Sequence, residues 1–216
     1  RNMRNAAFSC LCSGAALLSI VGASCSLGEG EGEVHSDELR LENCWDGPYD
    51  MKPSFFAGVP YRSTFQIRVQ RGGDIAEVSD GLSVLVDDVQ QIRDKLLGQE
   101  LDVGLSPEVT PPGIPVVASD NPPLVHMALY LNNSCHDNNS VLYSISGKVV
   151  FKSLFNGNPN TSDADDKLSD AYFDVLVGDP RDQPSSGGPI PAEKLSRVTG
   201  WFRFYFQRGK PGQPFP

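Results

Sequence analysis

The stretch VTGWFRFYFQRG, residues 198–209, sets Phe202, Phe204 and Phe206 two apart, with Trp201, Arg203 and Tyr205 between them. Successive side chains of a strand point to opposite faces, so this spacing reads as a strand with the phenylalanines inward and the other three outward. The same period recurs in YRSTFQIRVQRG (61–72), where Phe65, Ile67 and Val69 alternate with Thr64, Gln66, Arg68 and Gln70. It recurs again in LVHMALYLN (124–132), with Val125, Met127, Leu129 and Leu131 on one face and His126, Ala128 and Tyr130 on the outer one. SISGKVVFKSLF (144–155) and LSDAYFDVLVGD (168–179) add two further strands, each closed by turn residues. A chain of about seven such strands must bury one face of each, and the resulting fold class is mainly β: a single antiparallel β-sandwich or barrel-like domain. Edge strands of that sheet are expected to be protected by proline and charge.

One helix interrupts the pattern. In VDDVQQIRDKLLG, Val86, Val89, Ile92 and Leu96 recur at three and four, Asp87 or Asp88 can cap the start, and Gly98 sits at the stop. The stretch 105–123 carries six prolines and reads as a long ordered crossing or a strand-edge excursion.

The N-terminus has a different character. Residues 1–24 combine Arg1 and Arg4 with an uncharged apolar run and small residues before Cys25, the layout of an export signal, with Met3 a natural start. Two cleavage sites compete. Ordinary cleavage after Ala23 leaves Cys25 near a free terminus and the domain secreted. Alternatively, VGASC is similar to a bacterial lipobox, with Gly22 where leucine is usual, and Cys25 then carries the lipid that anchors the protein to a membrane. Of the five cysteines, Cys10 and Cys12 fall within the signal; lipidation of Cys25 leaves Cys44 and Cys135 as an even pair, expected as a disulfide in an oxidising compartment. Residues 25–38, SLGEGEGEV and its acidic continuation, read as a flexible Gly/Glu tether, so the folded body is expected over 39–216.

The charge balance excludes one class of partner. Eighteen Lys and Arg against 27 acidic residues give a net charge of −9, and no run of Lys or Arg exceeds a pair, so a nucleic acid is not expected to bind. No G-x-S-x-G, H-E-x-x-H or S-x-x-K motif occurs, and the three histidines, His35, His126 and His136, form no spaced ligand set; neither enzyme activity nor a cofactor is expected. Residues 156–166 are rich in Asn and Asp oxygens suited to calcium, but Thr161 and Lys167 occupy the places where an EF-hand needs Gly and Glu. Trp45, Tyr49, Trp201 and Tyr205 are read as outward aromatics beside polar groups and are the candidate ligand-binding aromatics.

SCSLGEGEGEV, ENCWDGPYD, SDGLSVLV, FDVLVGDPRD and FRFYFQRG together resemble a group of uncharacterised small lipoproteins of the myxobacterial type. That resemblance implies an exported, lipid-anchored protein and carries over no catalytic residue. Ser26 after Cys25 implies sorting to the outer membrane. The expectation is a structural or protein-interaction module at the envelope, its partner an envelope protein or a polysaccharide; the alternative is a small-ligand or carbohydrate-binding module.

Overall fold

The computed structural model describes residues 30–72, 79–105, 120–135, 141–185 and 188–207. Its strands are β1 (Gly30–Leu41), β2 (Trp45–Met51), β3 (Phe55–Tyr61), β4 (Thr64–Gln70), β5 (Asp80–Val86), β6 (Leu101–Asp102), β7 (Val125–Leu131), β8 (Val141–Ser153), β9 (Leu168–Gly178) and β10 (Ser196–Tyr205), with helix α1 at Val89–Lys95. They form one antiparallel sheet in the order β2-β1-β10-β9-β8-β7-β5-β4-β3, to which β6 adds alongside β8.

This order curls the sheet on itself. Every neighbouring pair from β2 round to β3 is antiparallel, and eight such steps separate the two, so β2 and β3 run in the same direction. Only residues 52–54 connect them, which makes β2 and β3 one bent stretch of chain that leaves one edge of the sheet and joins the other. The corner is tied to the end of β4: Ser54 N donates to Gln70 O at 3.0 Å, and Arg71 Nη2 donates to Asp50 O at 2.6 Å. Both end strands carry a proline, Pro48 and Pro60, as edge protection predicts.

Residues 30–38 correct the expected tether. Gly30, Gly32 and Val34 face the interior and Glu31 and Glu33 face out, so GEGEV is a strand pattern whose inward positions happen to be glycines. The glycines are demanded by crowding: a Cβ on Gly30 would lie 2.6 Å from Phe56 Cδ2, and one on Gly32 would lie 2.7 Å from Trp201 O. Elsewhere the same exchange of small for large recurs, with Gly200 against Phe173 and Gly58 against Phe65. The folded body therefore begins by Gly30, and residues 25–29 lie outside the described part.

Inside, an aromatic cluster fills the end at which β1 starts. Phe155 stacks on Phe206 at 4.1 Å, Phe65 approaches Phe155 at 5.0 Å, and Phe56 stacks on Phe204 at 6.0 Å. Helix α1 caps that end through buried Val89 and Ile92, with the Asp88 side chain accepting from Gln91 N and Gly98 at φ +75° after the last turn. It is shorter than the periodicity implied, because Val86 belongs to β5.

The opposite end is held by the Cys44–Cys135 disulfide, with Cα atoms 5.6 Å apart. Beside it the fully buried Asp80 carboxylate accepts from Asn133 N at 3.0 Å, Ser134 N at 2.9 Å, the Ser134 hydroxyl and the Tyr49 hydroxyl at 3.4 Å. A buried charge needs such company, and here the bonds fix the turn that positions Cys135.

Candidate interaction surface

The two sides of the curled sheet are dressed differently. On β4, β5 and β7 the outward residues Arg68, Gln70, Ser83, His126 and Ala128 are buried. On β9 and β10 the outward residues Tyr172, Asp174, Leu176, Arg197, Trp201, Arg203 and Tyr205 are exposed. The wall of β9 and β10 is thus the open one, and its register sets the surface chemistry.

Three cross-strand pairs define that surface. Trp201 lies opposite Tyr172, Arg203 opposite Asp170 and Tyr205 opposite Leu168. Trp201 and Tyr205 are each 38% exposed and Tyr172 47%. Lys152 Nζ sits 5.5 Å over the Tyr172 ring, a cation–π contact from β8. Between the rings, Arg203 Nε and Asp170 Oδ2 stand 3.9 Å apart, an ion pair longer than a hydrogen bond. Next along the wall, Arg197 Nε donates to Asp174 Oδ1 at 2.8 Å, which holds the Asp174 carboxyl below its usual range. Tyr172 was not among the expected residues, although the alternation of LSDAYFDVLVGD already places it in phase with Asp170 and Asp174.

The four predicted aromatics do not form one platform. Trp201 pairs with Glu33 of β1 and Trp45 with Leu41, so the two indoles sit eight residues apart along β1, about 25 Å at strand rise. Trp45 is half-buried against the core and meets Tyr49 edge-on at 5.5 Å. Tyr49 itself is buried, and that burial raises its hydroxyl pKa well above the ordinary tyrosine value. The outward placement of Trp45 and Tyr49 is therefore corrected: β2 turns them inward, where the Asp80 carboxylate gives the Tyr49 hydroxyl an acceptor.

Trp45 also contributes to an open cleft of about 770 Å³ beside the disulfide. Its cations face carboxylates of the same chain: Arg181 grips Asp179, Lys194 lies 3.4 Å from Glu42 and 3.8 Å from Asp182, and Arg40 contacts Glu38 and Asp46. Such exposed pairs neutralise one another and contribute little to stability.

The histidines fall in separate places. His35 is on β1, with Nδ1 2.6 Å from Asp50 Oδ1 and Nε2 3.1 Å from Asp37 Oδ1. His126, expected on the outer face of its strand, is buried, its ring held between the Gly104 carbonyl and the Asp87 carboxylate, while Val103 bridges Val125 beside β7. His136 and most of the proline-rich stretch lie outside the described residues. Among the described residues there is no group of three or more His, Cys, Asp and Glu placed to hold a metal ion, and no helix long and apolar enough to cross a membrane. In the loop after β8, Asn156, Asn158 and Asp163 turn their side-chain oxygens onto backbone N–H groups two residues on.

The arrangement defines a barrel-like antiparallel β domain with one covered wall and one open, aromatic wall. Comparison with family models, with curated proteins and with solved structures gives no match to this chain.

Proposed function

We propose that the protein is an exported, lipid-tethered module that works at the outer membrane without catalysis, holding an envelope protein or a polysaccharide against the wall of β9 and β10. The observation that carries this reading is the fixed pairing of Trp201 with Tyr172 in the middle of a convex wall that also exposes Tyr205 and Leu176 among the charged Asp174, Arg197 and Arg203. Aromatic side chains offer large contact area at low conformational cost, and they sit here on strands hydrogen-bonded along both edges, so a partner meets a surface that is already ordered.

The tether fits that role. With β1 starting at Gly30, the stretch from Cys25 spans at most about 18 Å, so a lipid on Cys25 would hold the α1-capped end close to the leaflet. The disulfide end would then point away from it, with the open wall standing upright between the two.

Co-sedimentation of the purified domain with isolated envelope fragments tests the reading. Wild type is expected to pellet with the fragments and Trp201→Ser/Tyr172→Ser to stay in solution with an unchanged melting transition. Equal behaviour of the two proteins would remove the wall from consideration. Fatty-acid labelling of cells expressing the full chain, compared with Cys25→Ser, tests the anchor separately.

A further inference from the structure

We infer that the partner of this wall is an uncharged glycan strand lying along β10 across Trp201, Arg203 and Tyr205; the inference rests on the wall being the contact surface. Trp201 and Tyr205 share one face of a strand four residues apart, about 13 Å at strand rise, with Arg203 midway. A pyranose ring presents a row of C–H groups to an aromatic face and a rim of hydroxyls to its sides. Two rings with a polar station between them match that alternation. Arg203 and Asp170 supply the station: at 3.9 Å they attract without consuming each other's hydrogen bonds, leaving guanidinium N–H groups to donate to hydroxyl oxygens and carboxylate oxygens to accept from hydroxyl protons.

Area argues against a protein in the same place. Three rings exposed by 38–47% offer on the order of 300 Å² of apolar surface. A specific protein interface buries about 800 Å² from each side, of which roughly 450 Å² is apolar, centred on anchors that enter pockets. Around these rings the wall is charged: Glu31 and Glu33 lie on β1, and Arg197 pairs with Asp174 and Lys148 with Asp102.

Charge decides which glycan. Arg197, Arg203, Lys148 and Lys152 are outnumbered by Glu31, Glu33, Asp102, Asp170 and Asp174, and the chain as a whole carries −9. A polyanion gains no counterion release from such a surface, whether nucleic acid or acidic polysaccharide. A neutral chain meets no such barrier.

The test is depletion of the purified domain from solution by suspensions of cellulose and chitin, with heparin–agarose as the acidic counterpart. Wild type is expected to bind at least one neutral polymer and to ignore heparin. Trp201→Ala and Tyr205→Ala should each weaken that binding at least tenfold while melting as wild type does; Arg203→Ala should weaken it less. No retention on either neutral polymer, retention on heparin alone, or undiminished binding by Trp201→Ala would overturn the inference. Periodate oxidation of the envelope fragments separates this result from the broader reading: Trp201-dependent co-sedimentation that survives glycan oxidation keeps the wall as the contact surface and makes its partner a protein.

Discussion

His126 Nε2 lies 2.9 Å from Asp87 Oδ2, joining the middle of the sheet to the residue that follows β5. On its other side Nδ1 lies 2.8 Å from Gly104 O, so one imidazole fastens both ends of the α1 excursion to β7. The excursion is thereby held at its entrance and its exit, which keeps Val89 and Ile92 over the aromatic cluster.

Replacing His126 with Phe should cost about 2–3 kcal/mol, because the buried Gly104 carbonyl and the Asp87 carboxylate both lose a partner. His126→Gln, which keeps one bond, should cost less. Urea unfolding measures both, and a cost near zero for the phenylalanine variant would show that the contact does not hold the excursion.

Gly200→Ala should destabilise more than an ordinary surface substitution, by about 1–3 kcal/mol. The added Cβ would stand 2.3 Å from Glu33 O and 2.6 Å from Phe173 Cζ, and the first of these is backbone in the adjoining strand, which cannot yield without disturbing the pairing of β1 with β10. Gly188→Ala, where nothing lies within 4 Å, is the control and should leave the melting temperature unchanged.

His35 should contribute a pH-dependent part of the stability near neutrality. Its hydrogen bond to Asp50, then that to Asp37, raise its pKa above the ordinary 6.5, so the folded protein holds this proton more tightly than the unfolded chain. The associated stability is fully present below about pH 6.5 and is lost as pH rises through the folded value. A carbon-detected titration should place the His35 midpoint above 6.5 in wild type and lower in Asp50→Asn. A midpoint at or below 6.5 in wild type would contradict the assignment.

Loss of the disulfide should be felt globally. Cys44 and Cys135 are 91 residues apart in sequence, and closing a loop of that length stabilises by about 4–5 kcal/mol through the unfolded state. Cys44→Ser/Cys135→Ser should therefore unfold at much lower urea concentration, with denaturant dependence measured alongside to reveal any change in the unfolded ensemble.

How much of this was written in the sequence depends on which side chains carry the pattern. β4, β7 and β10 were legible because alternating Phe, Ile, Val, Met and Leu mark a buried face without help from the rest of the chain. The cysteine pairing followed from parity. β1 hid because its inward positions are glycines, which look like a linker until the rings opposite them are known. Periodicity puts His126 on the correct side of its strand, but within one strand it carries no information about the Gly104 carbonyl and Asp87 carboxylate that other segments bring to the ring. Trp45 and Tyr49 were misplaced for a related reason: Gly47 and Pro48 make β2 resemble a turn, and the acceptor for Tyr49, Asp80, belongs to another strand. Of the surface itself, Trp201 and Tyr205 were found and Tyr172 was missed, since cross-strand register decides which ring stands beside which.

The pairing of Gly30 with Phe204 joins the first described strand to the last. Among the described strands β10 is the one that hydrogen-bonds the β1–β2 pair to the rest of the sheet, so β1 lacks its second neighbour until residues 196–205 have been made. β10 is thus the latch of the sheet: its ten residues carry pairing along both edges, and β1 and β9 gain their shared neighbour only when it arrives.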